Sequence, residues 1–216
     1  MLSSLPIASA AAANSLSLIT DENLKLPSDE GYMLEINGKQ ISIKAKQQAG
    51  LFYGLQTLQQ LLEDSRDQQI EIPSLRITDY PEIPYRAIHL DVKHHLDAGR
   101  YYYDMIDRLA SVKINAIIVE FEDKLRYRKA PLVGAANAIS IEEFEQLSKY
   151  AKDRFVEISP LVQGLGHASF ILKHEEYKSL RDDPNSDWAF DPLNPKTYDL
   201  QFALYEDAIK ATPYGR

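Results

Sequence analysis

RAIHLDVKHHLDAGRYYYDMIDRLASVKINAIIVEF, residues 86–121, passes from strand to helix and back to strand. Arg86 to Val92 reads as a strand, and Asp97 can cap a helix from about Arg100 that buries Tyr103, Ile106, Leu109 and Ala110. Ile114 to Phe121 reads as a second strand, apolar on both faces until its end, as expected where helices cover a parallel sheet. The alternation continues toward the carboxyl terminus. Ser140-Ile141-Glu142-Glu143 is a capping box that opens a helix carrying Phe144, Leu147 and Ala151. Val156 to Val162 forms a third strand with Pro160 near its end. Asn194-Pro195 supplies the N-cap and first residue of a last helix through Leu200, Leu204 and Ala208. Strands that alternate with helices in this way specify an α/β fold built on a parallel sheet.

Upstream of Arg86 the pattern differs. Gly31 to Ala45 alternates apolar and polar residues around Asn37-Gly38, a strong short-range hairpin signal. After Gly50, the residues Leu51, Leu55, Leu58 and Leu62 line one stripe of a helix that covers the hairpin's sheet. Ile70-Glu71-Ile72 and Leu75-Arg76-Ile77 read as extended pieces separated by Pro73, and residues 79–84 form a turn-rich connection. The chain therefore divides near residue 80 into a small α+β domain (1–80) and the start of a larger α/β domain (81–216).

Composition narrows the function. A 44% hydrophobic content with 26% charged residues belongs to a globular chain with a packed core. The net charge of -8 provides no field to gather phosphates, which argues against a nucleic-acid partner and favours a neutral or cationic ligand. With no cysteine, thiolate metal sites, disulfides and a cysteine nucleophile are excluded. No stretch approaches the ~18 apolar residues of a membrane span. The opening MLSSLPIASAAAAN has the small residues of a signal peptide, without its positive first region and with Pro6 interrupting the apolar run. The compartment stays open, with an extracytoplasmic location favoured for the parent protein.

Polar residues collect at one end of each strand: Asp91, His94 and His95 after the first, Glu120, Glu122 and Asp123 after the second, Gln163 and His167 after the third. In barrels and open α/β sheets alike, the carboxyl ends of the strands are where ligand sites are built. Strand alternation assigns Glu120 and Asp123 to the site and Glu122 to solvent. Asp91 can hold backbone amides or an arginine, with Arg86 as one partner, as readily as it can hold a ligand. His167 lies in Gly-Leu-Gly-His, where the glycines permit close backbone approach to a ligand. His94 and His95 face opposite ways on extended chain, and no His-x-x-x-His helix accompanies them, so no zinc site is expected. Tyr101 to Tyr103 is helix packing. Trp188, in a polar loop, is either a stacking platform for a sugar or a loop anchor.

Three segments together resemble family 20 glycoside hydrolases. GLFYGLQTL at Gly50 to Leu58 is similar to the G-x-F/Y-Y-G-x-Q-T-L hallmark of the small domain that precedes that family's barrel. RAIHLDVKH resembles the first barrel strand, R-G-x-x-L-D-x-x-R, with Arg86 and Asp91 on its first Arg and its Asp. Its last Arg, which in the family binds sugar hydroxyls, corresponds to His94, with Lys93 beside it. KINAIIVEFED resembles K-x-N-x-x-x-x-H-x-x-D, placing Glu120 on the His and Asp123 on the Asp. EISPLVQGLGH sits on E-I-D-x-P-G-H, with Gln163 on the Asp and His167 on the final His.

The resemblance implies a small α+β domain followed by the first three βα units of a (β/α)₈ barrel, incomplete in these residues. It implies release of terminal β-linked N-acetylhexosamine from glycans, with the substrate's own acetamido oxygen as nucleophile and an adjacent Asp-Glu pair assisting. That pair belongs to Gly-Gly-Asp-Glu, which does not occur in this sequence, so the catalytic residues are expected beyond the fragment, and the fragment alone is expected to be inactive. The substrate-binding set expected here is Arg86, Asp91, His94, Glu120, Asp123, Gln163 and His167. No cofactor, metal, nucleic acid or membrane is called for. Two other functions fit the same residues: a carbohydrate-binding relative without catalysis, and a barrel glycosidase that uses Glu120 and Asp123 directly.

Overall fold

The computed structural model describes residues 14–38, 40–93 and 96–216. Most of the opening segment compared above with a signal peptide, together with Lys39, His94 and His95, lies outside the described residues. These divide into two compact units, one running to Pro84 and including Ser111–Lys113, the other comprising Tyr85–Ala110 and Ile114–Arg216.

The first unit is a four-stranded sheet ordered β1-β3-β2-β4, from β1 (Ser15–Thr20), β2 (Tyr32–Asn37), β3 (Gln40–Ala45) and β4 (Leu75–Asp79). β2 and β3 form the expected hairpin, with Asn37 paired to Gln40 and Gly38 at φ +51°. Gly38 takes the positive φ that glycine adopts without steric cost, while Asn37 stays in the strand as its last paired residue. β1 adds in parallel to β3, a pairing the local sequence does not announce. Of the two extended pieces expected after the first helix, only the second is a strand. Ile70 to Ile72 has no regular structure.

Helix α1 (Gln48–Gln68) buries Gly50, Tyr53, Gly54 and Leu58. This corrects the leucine stripe, since Leu51, Leu55 and Leu62 are only half-buried. Two glycines four residues apart let the helix come close to the sheet. A Cβ on Gly50 would stand 2.3 Å from the Gly31 carbonyl oxygen, and one on Gly54 2.5 Å from Ile43 Cγ2. Tyr32, fully buried beneath the helix, donates its hydroxyl to Asp79 (2.8 Å) and accepts from Lys113 Nζ (3.0 Å).

In the second unit, β5 (Ala87–Asp91), β6 (Ala116–Glu120) and β7 (Glu157–Leu161) form a parallel sheet ordered β5-β6-β7. Each strand is shorter than its sequence pattern suggested. The register pairs Asp91 with Glu120 and Glu120 with Leu161, so the carboxyl ends of all three strands lie level. Helix α2 (Gly99–Ser111) starts two residues after Asp97 and buries Tyr102, Ile106 and Ala110. Tyr103 is half-buried instead, its ring edge-on to Tyr150 at 4.7 Å.

Helix α3 (Ile141–Lys152) opens on the expected capping box: Glu143 N–H donates to Ser140 Oγ, and Ser140 N–H to the Glu143 carboxylate. Its apolar face of Phe144, Leu147 and Ala151 is buried. After the short α4 (Ser169–Leu172), α5 (Pro195–Ala211) begins with Asn194 as N-cap and Pro195 as first residue. No helix among the described residues is long and apolar enough to cross a membrane.

Candidate substrate-binding site

Side chains alternate along a strand. Register therefore places His89 and Asp91 of β5, Ile118 and Glu120 of β6, and Ser159 and Leu161 of β7 on one face of the sheet. Glu120, only 4% exposed, is the centre of the polar end of that face. Its Oε1 accepts from Lys93 Nζ at 2.9 Å and from Gln163 Nε2 at 2.5 Å. Its Oε2 lies 3.0 Å from His89 Nε2. A buried carboxylate is costly unless its lone pairs are used, and three donors from in and around two neighbouring strands provide that. Oε1 is filled by two donors. Oε2, with one, keeps an acceptor position for a hydroxyl.

Lys93 ties the group together. Beyond Glu120, its ammonium lies 3.1 Å from Asp91 Oδ2, while its backbone N–H donates to Asp91 Oδ1 (2.9 Å). Hydrogen bonds to Glu120 and then to Asp91 hold the ammonium charged well above the usual lysine range. Glu122, expected in solvent, is instead largely buried: its side chain is 19% exposed and 4.0 Å from Lys93 Nζ. Burial lifts its carboxyl above the ordinary value, with Lys93 opposing and the neighbouring carboxylates adding to the rise. The strand ends just before Glu122: a 3₁₀ turn runs over Glu122–Lys124, and Glu122 enters it at φ +42°.

Of the residues anticipated for the site, Asp91, Glu120 and Gln163 therefore meet. Asp123 stands next to Glu122 and pairs with Lys124 Nζ at 2.5 Å. His167, at φ +56°, lies against Trp188, ring centroids 4.2 Å apart. Arg86 precedes β5 at its other end, roughly 16 Å along the strand from Asp91 at the usual rise per residue. There its N–H donates to Asn115 Oδ1 (2.8 Å), so the structure does not bring Arg86 to the Glu120 group. His94 is outside the described residues. His89 was missed, although a signal existed: it lies two residues before Asp91 and so shares its face. Among the described residues no cluster of histidines and carboxylates has the make-up of a metal site.

The chain is similar to known proteins. Residues 2–80 match the family model described as glycosyl hydrolase family 20, domain 2. A β-hexosaminidase of Porphyromonas gingivalis is 30% identical over 184 residues, which cover 74% of this chain and 24% of that protein. The chain belongs to glycoside hydrolase family 20. Hexosaminidase D of Bos taurus is 28% identical over 132 residues, 61% of this chain and 38% of that protein. A mutant Streptomyces plicatus β-hexosaminidase in complex with product (GlcNAc) shares the fold with a TM-score of 0.80 at 23% identity, over 98% of this chain and 48% of that one. The family 20 chain described here thus spans about a quarter of the first relative and half of the solved structure.

Proposed function

We propose that this family 20 chain carries the substrate-recognition face of a β-N-acetylhexosaminidase: a small α+β domain over residues 1–80 and the first three βα units of a (β/α)₈ barrel over 81–216. The observation that carries this reading is the Glu120 carboxylate, buried and held by Lys93, Gln163 and His89 at the carboxyl ends of parallel strands. In barrel enzymes that end is where substrate sits. A carboxylate with one acceptor position left is suited to hydroxyls of a terminal sugar, and Asp91 joins it through the shared Lys93 ammonium; Asp123 and His167 remain proposed contacts.

The reaction follows the substrate-assisted retaining course of the family. The 2-acetamido oxygen bonds to the anomeric carbon as the glycosidic C–O bond breaks and a carboxylic acid protonates the leaving oxygen. Water then adds its oxygen at the same carbon as the bond to the acetamido oxygen breaks and the acetamide is restored; the water returns a proton to that carboxylate, and the β configuration is left in place. The acid and the residue orienting the acetamide are assigned to the family's Gly-Gly-Asp-Glu, which these residues do not contain. Lys93 already engages both Glu120 and Asp91, at 2.9 and 3.1 Å, which suits the two carboxylates to binding.

The test is to express the reading frame from start to stop codon and compare 4-nitrophenyl N-acetyl-β-D-glucosaminide with 4-nitrophenyl β-D-glucoside. Turnover of the first and not the second is expected, because only the first carries the internal nucleophile. Equal turnover of both would assign the chemistry to a pair of enzyme carboxylates instead.

A further inference from the structure

Asp207, in the second half of α5, is fully buried, and its carboxylate reaches out of the helix to the backbone of another element. Its Oδ2 accepts from two consecutive N–H groups of the loop after β6, Arg128 at 2.7 Å and Lys129 at 2.8 Å. Its Oδ1 lies 3.6 Å from Lys210 Nζ and has no hydrogen-bond partner among the described residues. A carboxylate taken out of water is costly unless donors compensate it, and bonds from N–H groups to a charged acceptor are among the strong ones. The side chains of the same two loop residues also form ion pairs, Lys129 with Glu206 and Arg128 with Glu142. Both pairs are exposed, where such contacts contribute little. The buried carboxylate is therefore the principal hold on this loop.

The loop leads back to the polar end of the sheet. Leu125 bridges Ile139, Arg126 N–H donates to Ile139 O (2.8 Å), and Ala135 N–H donates to the Asp123 carbonyl (2.7 Å). The loop thus closes on the residue that follows Glu122. Tyr127, buried within it, has a hydroxyl without a hydrogen-bond partner among the described residues. Burial pushes that hydroxyl's pKa up, and the charges of Asp207, Asp123 and Glu122, in that order, add to the rise. One buried ring therefore senses both the α5 carboxylate and the two at the end of β6. We infer that Asp207 is a positioning residue for sugar binding: by gripping the Arg128 and Lys129 N–H groups it fixes the loop after β6, and with it the placing of Glu122 and Asp123. It acts through the loop rather than on the sugar. The inference rests on the activity proposed above, since it takes Asp123 as a sugar contact.

The experiment uses the protein expressed from start to stop codon and reads amide hydrogen exchange beside kinetics. In the wild type, the Arg128 and Lys129 amides are expected to exchange about a hundredfold more slowly than an open loop, and exchange at the open rate would overturn the tether without any substitution. Asp207→Ala should lose that protection over residues 125–139 while residues 116–120 keep theirs. It should also raise KM for 4-nitrophenyl N-acetyl-β-D-glucosaminide about tenfold at nearly unchanged kcat, the pattern of lost uniform binding. Asp207→Asn keeps an acceptor oxygen but makes neutral bonds, about half as strong, so it should fall between, with KM raised about threefold. Added to Asp123→Ala, Asp207→Ala should cost less than about a further twofold, because changes that act through one contact are not additive. Wild-type KM in folded Asp207→Ala, or its full effect on top of Asp123→Ala, would overturn the positioning role. If Asp207→Ala does not fold, Asp207→Asn decides, and wild-type exchange and KM in that variant would overturn it as well. Absence of turnover in the wild type would instead overturn the activity proposed above, while the exchange pattern still decides whether Asp207 fixes the loop.

Discussion

Glu122 shows how one residue's conformation redirects chemistry. Its positive φ turns the chain at the end of β6 and brings a carboxyl under cover beside Lys93. Burial raises the carboxyl's pKa, so the folded chain holds that proton more tightly than the unfolded chain does. The stabilising contribution is therefore complete below the ordinary glutamate value and is lost as pH rises through the raised one. Glu122→Gln should accordingly stabilise the fold at pH 7, with the gain vanishing near pH 4, as read from urea unfolding at the two values. A gain independent of pH would show that the carboxyl's charge is not the cause. At this scale the sequence was partly legible. Asp91, Glu120 and Gln163 could be picked out because a polar side chain that closes an apolar strand stands at the end of a parallel sheet where ligands bind. His89 carried the same signal, two residues before Asp91 on one face, and was missed; Glu122 was misplaced although it stands two residues after Glu120, where alternation itself would put it on the same face.

The elements were easier to read where chemistry is local. The Ser140 capping box and the Asn194-Pro195 start each involve a few adjacent residues, and both form as their sequences require. What periodicity could not give was the face of α1, because the closest approach to the sheet is made by glycines rather than leucines. That close approach can be tested. Alanine at Gly50 gains ~1 kcal/mol of helix propensity, but its Cβ would stand 2.3 Å from the Gly31 carbonyl oxygen, a backbone atom with little room to move. Overpacking of this kind costs ~1–3 kcal/mol, occasionally more. Gly50→Ala is expected to lower stability by about 2 kcal/mol net, measured by urea unfolding, and a more stable variant would show that the helix can ride higher on the sheet. β1 lay beyond any local reading, since its partner in the parallel pair is β3, twenty or more residues on.

At the scale of the molecule, strand-helix alternation was enough for an α/β fold and for the end of the sheet where a site forms. It could not have chosen among the many families that share those features; the motif around Gly50 to Leu58 and the three strand ends did that. With Glu120 as the proposed centre of sugar recognition, the most direct measurement is kcat/KM for 4-nitrophenyl N-acetyl-β-D-glucosaminide in the protein expressed to its stop codon, wild type against Glu120→Gln. Glutamine keeps the size of the side chain and removes the charge that Lys93, His89 and a sugar hydroxyl all use. With unfolding midpoints confirming that both proteins are folded, kcat/KM should fall roughly a hundredfold, the worth of a buried charge-assisted hydrogen bond. A folded Glu120→Gln protein with wild-type kcat/KM would contradict that role.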